Sequence, residues 1–278
     1  MNSGRDILPI NGLEMHVTIA GTGRPVLLLH GFPDSSKLWR EVAPMLTDAG
    51  YRVIAPDQRG FGVTEAPSER SEYTIERIAA DAIALLDTLG IERAAVIGHD
   101  WGAVIGWSLA GTHPDRFSCF AALSVGHPKA VQRAGLRQKL KSWYFALFLI
   151  PKFGETIVRA CDFAAFRLMT RGDPEITNWR RDLARPGRLT AAMNWYRANL
   201  KTMAENEFPD ARIPVLGLVG SDDVALGTEQ MADSRGYAEA SFDYAVIERA
   251  GHWMPLYAPE ALAAHLLPFL GQHTERAL

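Results

Sequence analysis

Short apolar runs alternate with amphipathic stretches of helical period along most of the chain. Met15 to Ala20 alternates apolar and polar positions as an edge strand does. Pro25 to Leu29 is an unbroken apolar run, a buried strand that ends at His30-Gly31. Ser36 opens a helical pattern through Leu38, Trp39, Val42 and Leu46, with Gly50 as its stop. Arg52 to Ala55 predicts the next strand, and Thr74 to Leu89 a helix with apolar positions at Ile75, Ile78, Ala82 and Leu85. Ala94 to Ile97 predicts a buried strand that stops at Gly98, and a helix starts directly after Asp100 and runs to about Gly111. Phe117 to Val125 is a further strand.

After Gly126 the alternation gives way to a mostly helical stretch reaching about Pro209. Strand character resumes at Pro214–Gly220 and Phe242–Ile247, and Pro259–Leu270 predicts a closing helix. Strands alternating with helices predict an α/β fold with a mostly parallel, doubly wound sheet. The helical stretch reads as an insertion, a cap of residues 127–212 set into a core of residues 1–126 and 213–278.

Charge supports that division. Between His127 and Arg212 there are 16 Lys/Arg against 8 Asp/Glu, whereas the remainder carries 13 against 24. The overall charge of −3 leaves no footprint for nucleic acid. The two cysteines, Cys119 and Cys161, lack metal-ligand spacing, so no metal is expected and a reducing compartment is the simpler reading. Met1 to Gly12 is polar without an apolar core, and Trp143 to Pro151 is too short to span a bilayer. A cytoplasmic protein without membrane insertion is the expectation.

The chemistry centres on Gly98-His99-Asp100-Trp101-Gly102. This is the frame of the G-x-S-x-G nucleophile elbow with aspartate in the serine position. A carboxylate attacking a saturated carbon leaves an ester, which water then opens at the carbonyl, whereas serine would leave an inert ether. Asp100 therefore points to opening of a strained C–O bond or displacement of a halide, and away from esterase or peptidase chemistry. The competing reading is an aspartate helix cap.

His30-Gly31-Phe32-Pro33 follows a strand end, where open α/β sheets place their sites. A main-chain N–H there, that of Phe32, pairs with the Trp101 N–H as an expected oxyanion hole, and Phe32–Pro33 is a candidate cis peptide. His252, in Gly251-His252-Trp253, suits the base for water. In Gly220-Ser221-Asp222-Asp223 one carboxylate orients that histidine; Asp223 is favoured and Asp222 is the alternative. Epoxide opening also needs a proton donor, and Tyr144 and Tyr196 each sit in an aromatic neighbourhood with Trp143 or Trp195, although either fits a structural role. His30, Pro33, Trp143 and Trp195 are expected to line the substrate pocket.

With these residues assembled, the chain resembles the α/β-hydrolase-fold epoxide hydrolases over nearly its whole length. The matching stretches are His30–Pro33, Pro56-Asp57-Gln58-Arg59-Gly60-Phe61-Gly62, the Asp100 elbow, Gly220–Asp223, Gly251–Trp253 and the cap segment Arg185–Arg197. The resemblance implies Asp100 as nucleophile, His252 as base, Asp223 as its partner, Tyr144 and Tyr196 as lid tyrosines, and Phe32 and Trp101 as oxyanion donors. It implies a small apolar epoxide and water as substrates and no cofactor, and leaves room for a homodimer. Haloalkane dehalogenases share the elbow and are the alternative; they commonly carry Asn where Phe32 stands, and the fluoroacetate type carries Arg where Trp101 stands.

Overall fold

The computed structural model describes residues 4–135, 138, 141, 143–205 and 207–274; Ser142, read with Trp143 and Tyr144 in the sequence, lies outside them, as do Met1, Asn2 and Ser3. The strands are β1 (Gly4–Ile10), β2 (Leu13–Ala20), β3 (Arg24–Leu29), β4 (Tyr51–Pro56), β5 (Ala94–His99), β6 (Phe117–Leu123), β7 (Val215–Gly220) and β8 (Phe242–Ile247). They form one eight-stranded sheet in the order β1-β2-β4-β3-β5-β6-β7-β8. β1 pairs antiparallel with β2 and β2 with β4, and the remaining pairs are parallel.

The β1–β2 hairpin turns on Asn11 and Gly12, with φ of 46° and 79°. Positive φ at both central residues is the turn whose twist matches the flanking strands. Reading the first twelve residues as a polar terminus overlooked β1.

From β3 the chain crosses to β4 on one side and then returns to β5 on the other. The reversal opens a crevice at the carboxyl ends of β3 and β5. His30-Gly31-Phe32 leaves β3 there and Asp100 leaves β5 there.

The core helices before the insertion are α1 (Val42–Asp48), α2 (Ile75–Thr88) and α3 (Trp101–Thr112). The single helix expected from Ser36 to Leu46 is instead a 3-10 turn, Ser36–Trp39, followed by α1. Pro44 explains the break. It has no N–H to offer Arg40 and is tolerated only in a helix's first turn, which is where α1 places it. In α3 every residue from Trp101 to Gly111 is buried, and a Cβ on Gly106 would collide with the Phe120 ring.

Between β6 and β7 lie α4 (Pro128–Arg133), α5 (Tyr144–Phe148), α6 (Phe153–Met169, kinked at Ala160–Phe163), α7 (Ile176–Ala184) and α8 (Arg188–Ala204). α9 (Thr228–Ala232), α10 (Met254–Tyr257) and α11 (Pro259–His273) complete the chain. No helix among the described residues is long and apolar enough to cross a membrane.

α8 fastens the inserted helices to the sheet domain. The Trp195 indole N–H donates to the Arg59 carbonyl at 3.1 Å. Asn199 accepts the Ile75 N–H at 2.8 Å and donates to the Tyr73 carbonyl at 2.8 Å. Ile75 opens α2, so Asn199 satisfies one of the amides that a helix start leaves without an internal partner. On another face, Arg197 donates from Nε to the Phe148 carbonyl at 2.7 Å and from both terminal nitrogens to Glu155 at 2.6 and 2.9 Å. One guanidinium thus joins α8 to the end of α5 and the start of α6.

Candidate active site

Asp100 sits between β5 and α3 with φ 53° and ψ −120°, a backbone state that costs roughly 1–3 kcal/mol for a non-glycine residue. The turn closes because its neighbours lack side chains. A Cβ on Gly98 would strike the Gly102 main chain, and one on Gly102 would strike the Leu29 carbonyl. The strain lifts the carboxylate off the sheet into the crevice.

Gly31 brings the β3 loop against it. A Cβ there would overlap Asp100 Oδ1 and lie 2.6 Å from the Trp101 nitrogen. The Phe32 N–H donates to Asp100 Oδ1 at 2.8 Å. Phe32–Pro33 is the one cis peptide bond among the described residues. The Trp101 nitrogen, at the start of α3, borders the same Gly31 position. One main-chain donor, that of Phe32, therefore holds one oxygen of Asp100.

On the other oxygen, His252 Nε2 lies 3.7 Å from Asp100 Oδ2. Its Nδ1 lies 2.9 Å from Asp223 Oδ2. A carboxylate accepts only, so Nδ1 carries the proton and Nε2 faces Asp100. Asp223 also accepts the Ala225 and Leu226 N–H groups at 2.8 and 2.9 Å through its second oxygen. Asp222 is exposed and has only Ser221 as a side-chain partner.

Burial alone would lower the His252 pKa and raise that of Asp223. The charge of Asp223, followed by that of Asp100, reverses this for the imidazole and holds it well above its usual range. The imidazole in turn holds Asp223 below the usual carboxylate range.

A cavity of about 110 Å³ opens over Asp100, with Trp101, Tyr144 and Tyr196 in its wall. Val104, Val125, Leu149, Met203 and Leu226 make most of the rest of the lining apolar, with Gln138 adding a polar group. The tyrosine rings stand edge to face, 6.5 Å between centroids, and Tyr196 also lies edge-on to Trp101 at 5.1 Å. Burial, reinforced by the charge of Asp100, pushes both phenols above their ordinary pKa, so each remains a hydrogen-bond donor. A larger groove of about 690 Å³ lies elsewhere, between the β2–β4 face and α7, and contains none of these groups.

The four expected pocket residues are not brought into the cavity lining. His30 is fully buried; the Gln58 N–H donates to its Nε2 at 2.9 Å, so Nδ1 carries the proton donated to the Gly31 carbonyl at 3.0 Å. It braces the β3 loop from behind. Pro33 faces a separate small crevice with Asp34 and Trp179. Trp195 is fully buried behind Trp101, and Trp143 is 47% exposed on the outer surface. From these two segments the lining comes instead from Tyr144, Phe145 and Leu149 and from Tyr196, Leu200 and Met203.

Three features escaped the sequence reading. His99 and Ser124 both bond to the His252 carbonyl, and Asp34 accepts the indole N–H of Trp179, on α7, at 3.1 Å. Only His99, inside the elbow motif, had a signal that pointed to it. No group of His, Cys, Asp and Glu among the described residues is placed to hold a metal ion.

The family description "alpha/beta hydrolase fold" matches residues 24–259, and the chain belongs to that family. Among its relatives, "Epoxide hydrolase A" of Mycobacterium tuberculosis is 32% identical over 95% of this chain and 96% of its own. The "AB hydrolase superfamily protein YfhM" of Bacillus subtilis is also 32% identical, over 94% and 95% of the two chains. Among solved structures, epoxide hydrolase A from Mycobacterium thermoresistibile superposes with a TM-score of 0.83 at 28% identity, covering 99% of this chain and all of that one.

Proposed function

We propose that the protein is an epoxide hydrolase that converts a small apolar epoxide and water to a vicinal diol through an ester on Asp100. The observation that carries this reading is the placement of Asp100. One of its oxygens is held by the Phe32 N–H, and the other faces His252 across from two neutral tyrosines. The 32%-identical epoxide hydrolase, matched end to end, supports the same activity.

In the first step Asp100 Oδ2 attacks a ring carbon. The ring C–O bond breaks, its electron pair stays on oxygen, and Tyr144 and Tyr196 supply hydrogen bonds and a proton to that oxygen. The helices of residues 127–212 act as the cap that carries both phenols. Forming the ester removes the Asp100 charge, one of the groups that kept His252 protonated. Once the ring is open, the imidazolium returns its proton to the tyrosinate and is left able to act as a base.

In the second step water attacks the Asp100 carbonyl carbon and His252 Nε2 takes its proton, with Asp223 stabilising the imidazolium. Oδ1 becomes the oxyanion beside the Phe32 and Trp101 N–H groups. The acyl C–O bond then breaks, the departing alkoxide takes the proton that His252 removed from water, and the Asp100 carboxylic acid gives its proton to His252, which restores the starting carboxylate and imidazolium. Nothing in the site favours halide displacement over this route: residue 32 presents a phenyl edge to Tyr196, with no side-chain donor for a halide.

The test is a paired assay of wild type and Asp100→Ala with an aryl epoxide, an aliphatic epoxide and a bromoalkane. Diol from wild type alone is the expected result. Bromide without diol assigns the site to dehalogenation instead.

A further inference from the structure

The His252 carbonyl receives two side-chain donors from the middle of the sheet. His99, the last residue of β5, places Nε2 2.9 Å from that oxygen. Ser124, just past β6, places Oγ 3.2 Å from the same oxygen. A carbonyl cannot donate, so His99 Nε2 carries the hydrogen, and Nδ1 is left as a bare, buried lone pair without a protein partner. Ser124 holds φ at 69°, a left-handed state that is rare for serine. An unpaired buried nitrogen and a strained backbone both reduce stability, and both converge on one peptide oxygen.

The geometry relates the base to the nucleophile. Asp100 follows His99 directly, and successive side chains at a strand end point to opposite sides. His99 therefore grips the main chain of His252 while Asp100, one residue on, faces its imidazole. The two histidine rings lie 4.7 Å apart. Burial, then the charge of His252, pushes His99 down to about 4, which keeps it a neutral donor and excludes it as a second base at working pH.

We infer that His99 and Ser124 are positioning residues for ester hydrolysis: they clamp the main chain of His252 so that Nε2 is held over the Asp100 carbonyl. Asp223 fixes one end of the ring through Nδ1, which leaves the ring able to swing about that bond. The clamped carbonyl removes the swing. Since His252 acts only in the second step, loss of the clamp slows that step alone.

The inference rests on the two-step reading above, and the experiment separates the two. Wild type, His252→Gln, His99→Leu, His99→Gln and Ser124→Ala are mixed with epoxide. Alkylation is followed by tryptophan fluorescence, and the Asp100 adduct by intact mass. An adduct trapped in His252→Gln checks the two-step reading on its own; its absence overturns that reading. With the adduct present, His99→Leu is expected to slow hydrolysis about 10- to 100-fold, the scale of a small misplacement of a reacting group. Alkylation should stay within about twofold, and ester should accumulate. His99→Gln keeps an N–H donor at similar reach and should recover most of the rate. If His99→Leu fails to fold, Ser124→Ala must show the same selective slowing. Equal slowing of both steps, or no slowing of hydrolysis, overturns the inference.

Discussion

The main-chain N–H of Phe32 donates to Oδ1 of Asp100 at 2.8 Å, across 68 positions of sequence. The bond distinguishes the two carboxylate oxygens before any substrate arrives: Oδ1 is held and Oδ2 is free to attack. In the proposed mechanism Oδ2 becomes the ester oxygen and departs with the diol. In a single turnover in ¹⁸O-water the diol should be unlabelled and Asp100 should carry the label, read by mass spectrometry of its peptide. Label in the first diol would mean that water attacks the epoxide directly.

The two adjacent aspartates should differ sharply. Asp223→Asn removes the acceptor that fixes the His252 tautomer and is expected to cost about 10³- to 10⁴-fold in turnover, by analogy with the same change in a serine triad. Asp222→Asn, on the exposed side of the loop, should stay within about twofold. Steady-state rates of the two variants decide the matter.

In the proposed mechanism the tyrosines act in the first step. Tyr144→Phe and Tyr196→Phe should each slow alkylation, less than the double variant because one donor remains, and the double variant should lose about 10²- to 10⁴-fold, the scale on which a positioned acid contributes. Burial holds both phenols above their ordinary pKa. An ultraviolet titration should therefore show neither ionising at the pH where exposed tyrosines do, and the double variant should leave that part of the curve unchanged.

Arg197 and Glu155 form a two-pronged pair in which the arginine is almost wholly buried. Arg197→Leu leaves a largely buried carboxylate and two uncapped carbonyls, a change worth about 3–5 kcal/mol of stability. Adding Glu155→Leu should recover a substantial part. Denaturant unfolding of the single and double variants measures the difference.

Asp34 ties stability to pH. Burial raises it from 3.8 to about 7, so the folded state binds this proton more tightly than the unfolded state. Its contribution is full below the unfolded pKa and is lost as pH rises through about 7. Asparagine cannot take up the proton. Asp34→Asn should therefore cost more at about pH 5 than at about pH 8, by roughly 2.6 kcal/mol at about 1.4 kcal/mol per pH unit below the folded pKa. Equal cost at both pH values would show that Asp34 does not titrate in this range.

The sheet was legible where burial imposes a pattern. β5 and β7 are buried throughout, and their ends fall within two residues of the expected positions. β1 escaped because it lies at the sheet edge, where Asp6 and Pro9 interrupt the alternation, although Asn11-Gly12 carried the hairpin signal. Asp100, His252 and Asp223 were legible because each follows a strand at a glycine-marked turn. The cavity wall was not. Whether Trp195 or Tyr196 faces the ligand is a matter of 100° around α8, and aromatic content alone does not say which. The clamp on His252 was hidden for another reason: its acceptor is a peptide oxygen, which every residue has.

α8 divides its work by face. Trp195 and Asn199 hold the core, Arg197 holds α5 and α6, and Tyr196, Leu200 and Met203 look into the cavity. The residues that set the span between the two phenols are therefore not those that set the room for the rest of the ligand. Leu200 is half exposed at the rim. Under the proposed function, exchanging it or Met203 should change which molecules fit without disturbing the grip on the epoxide oxygen. Substrate range and catalytic competence would then be separately adjustable, a built-in route to new selectivities in evolution or at the bench.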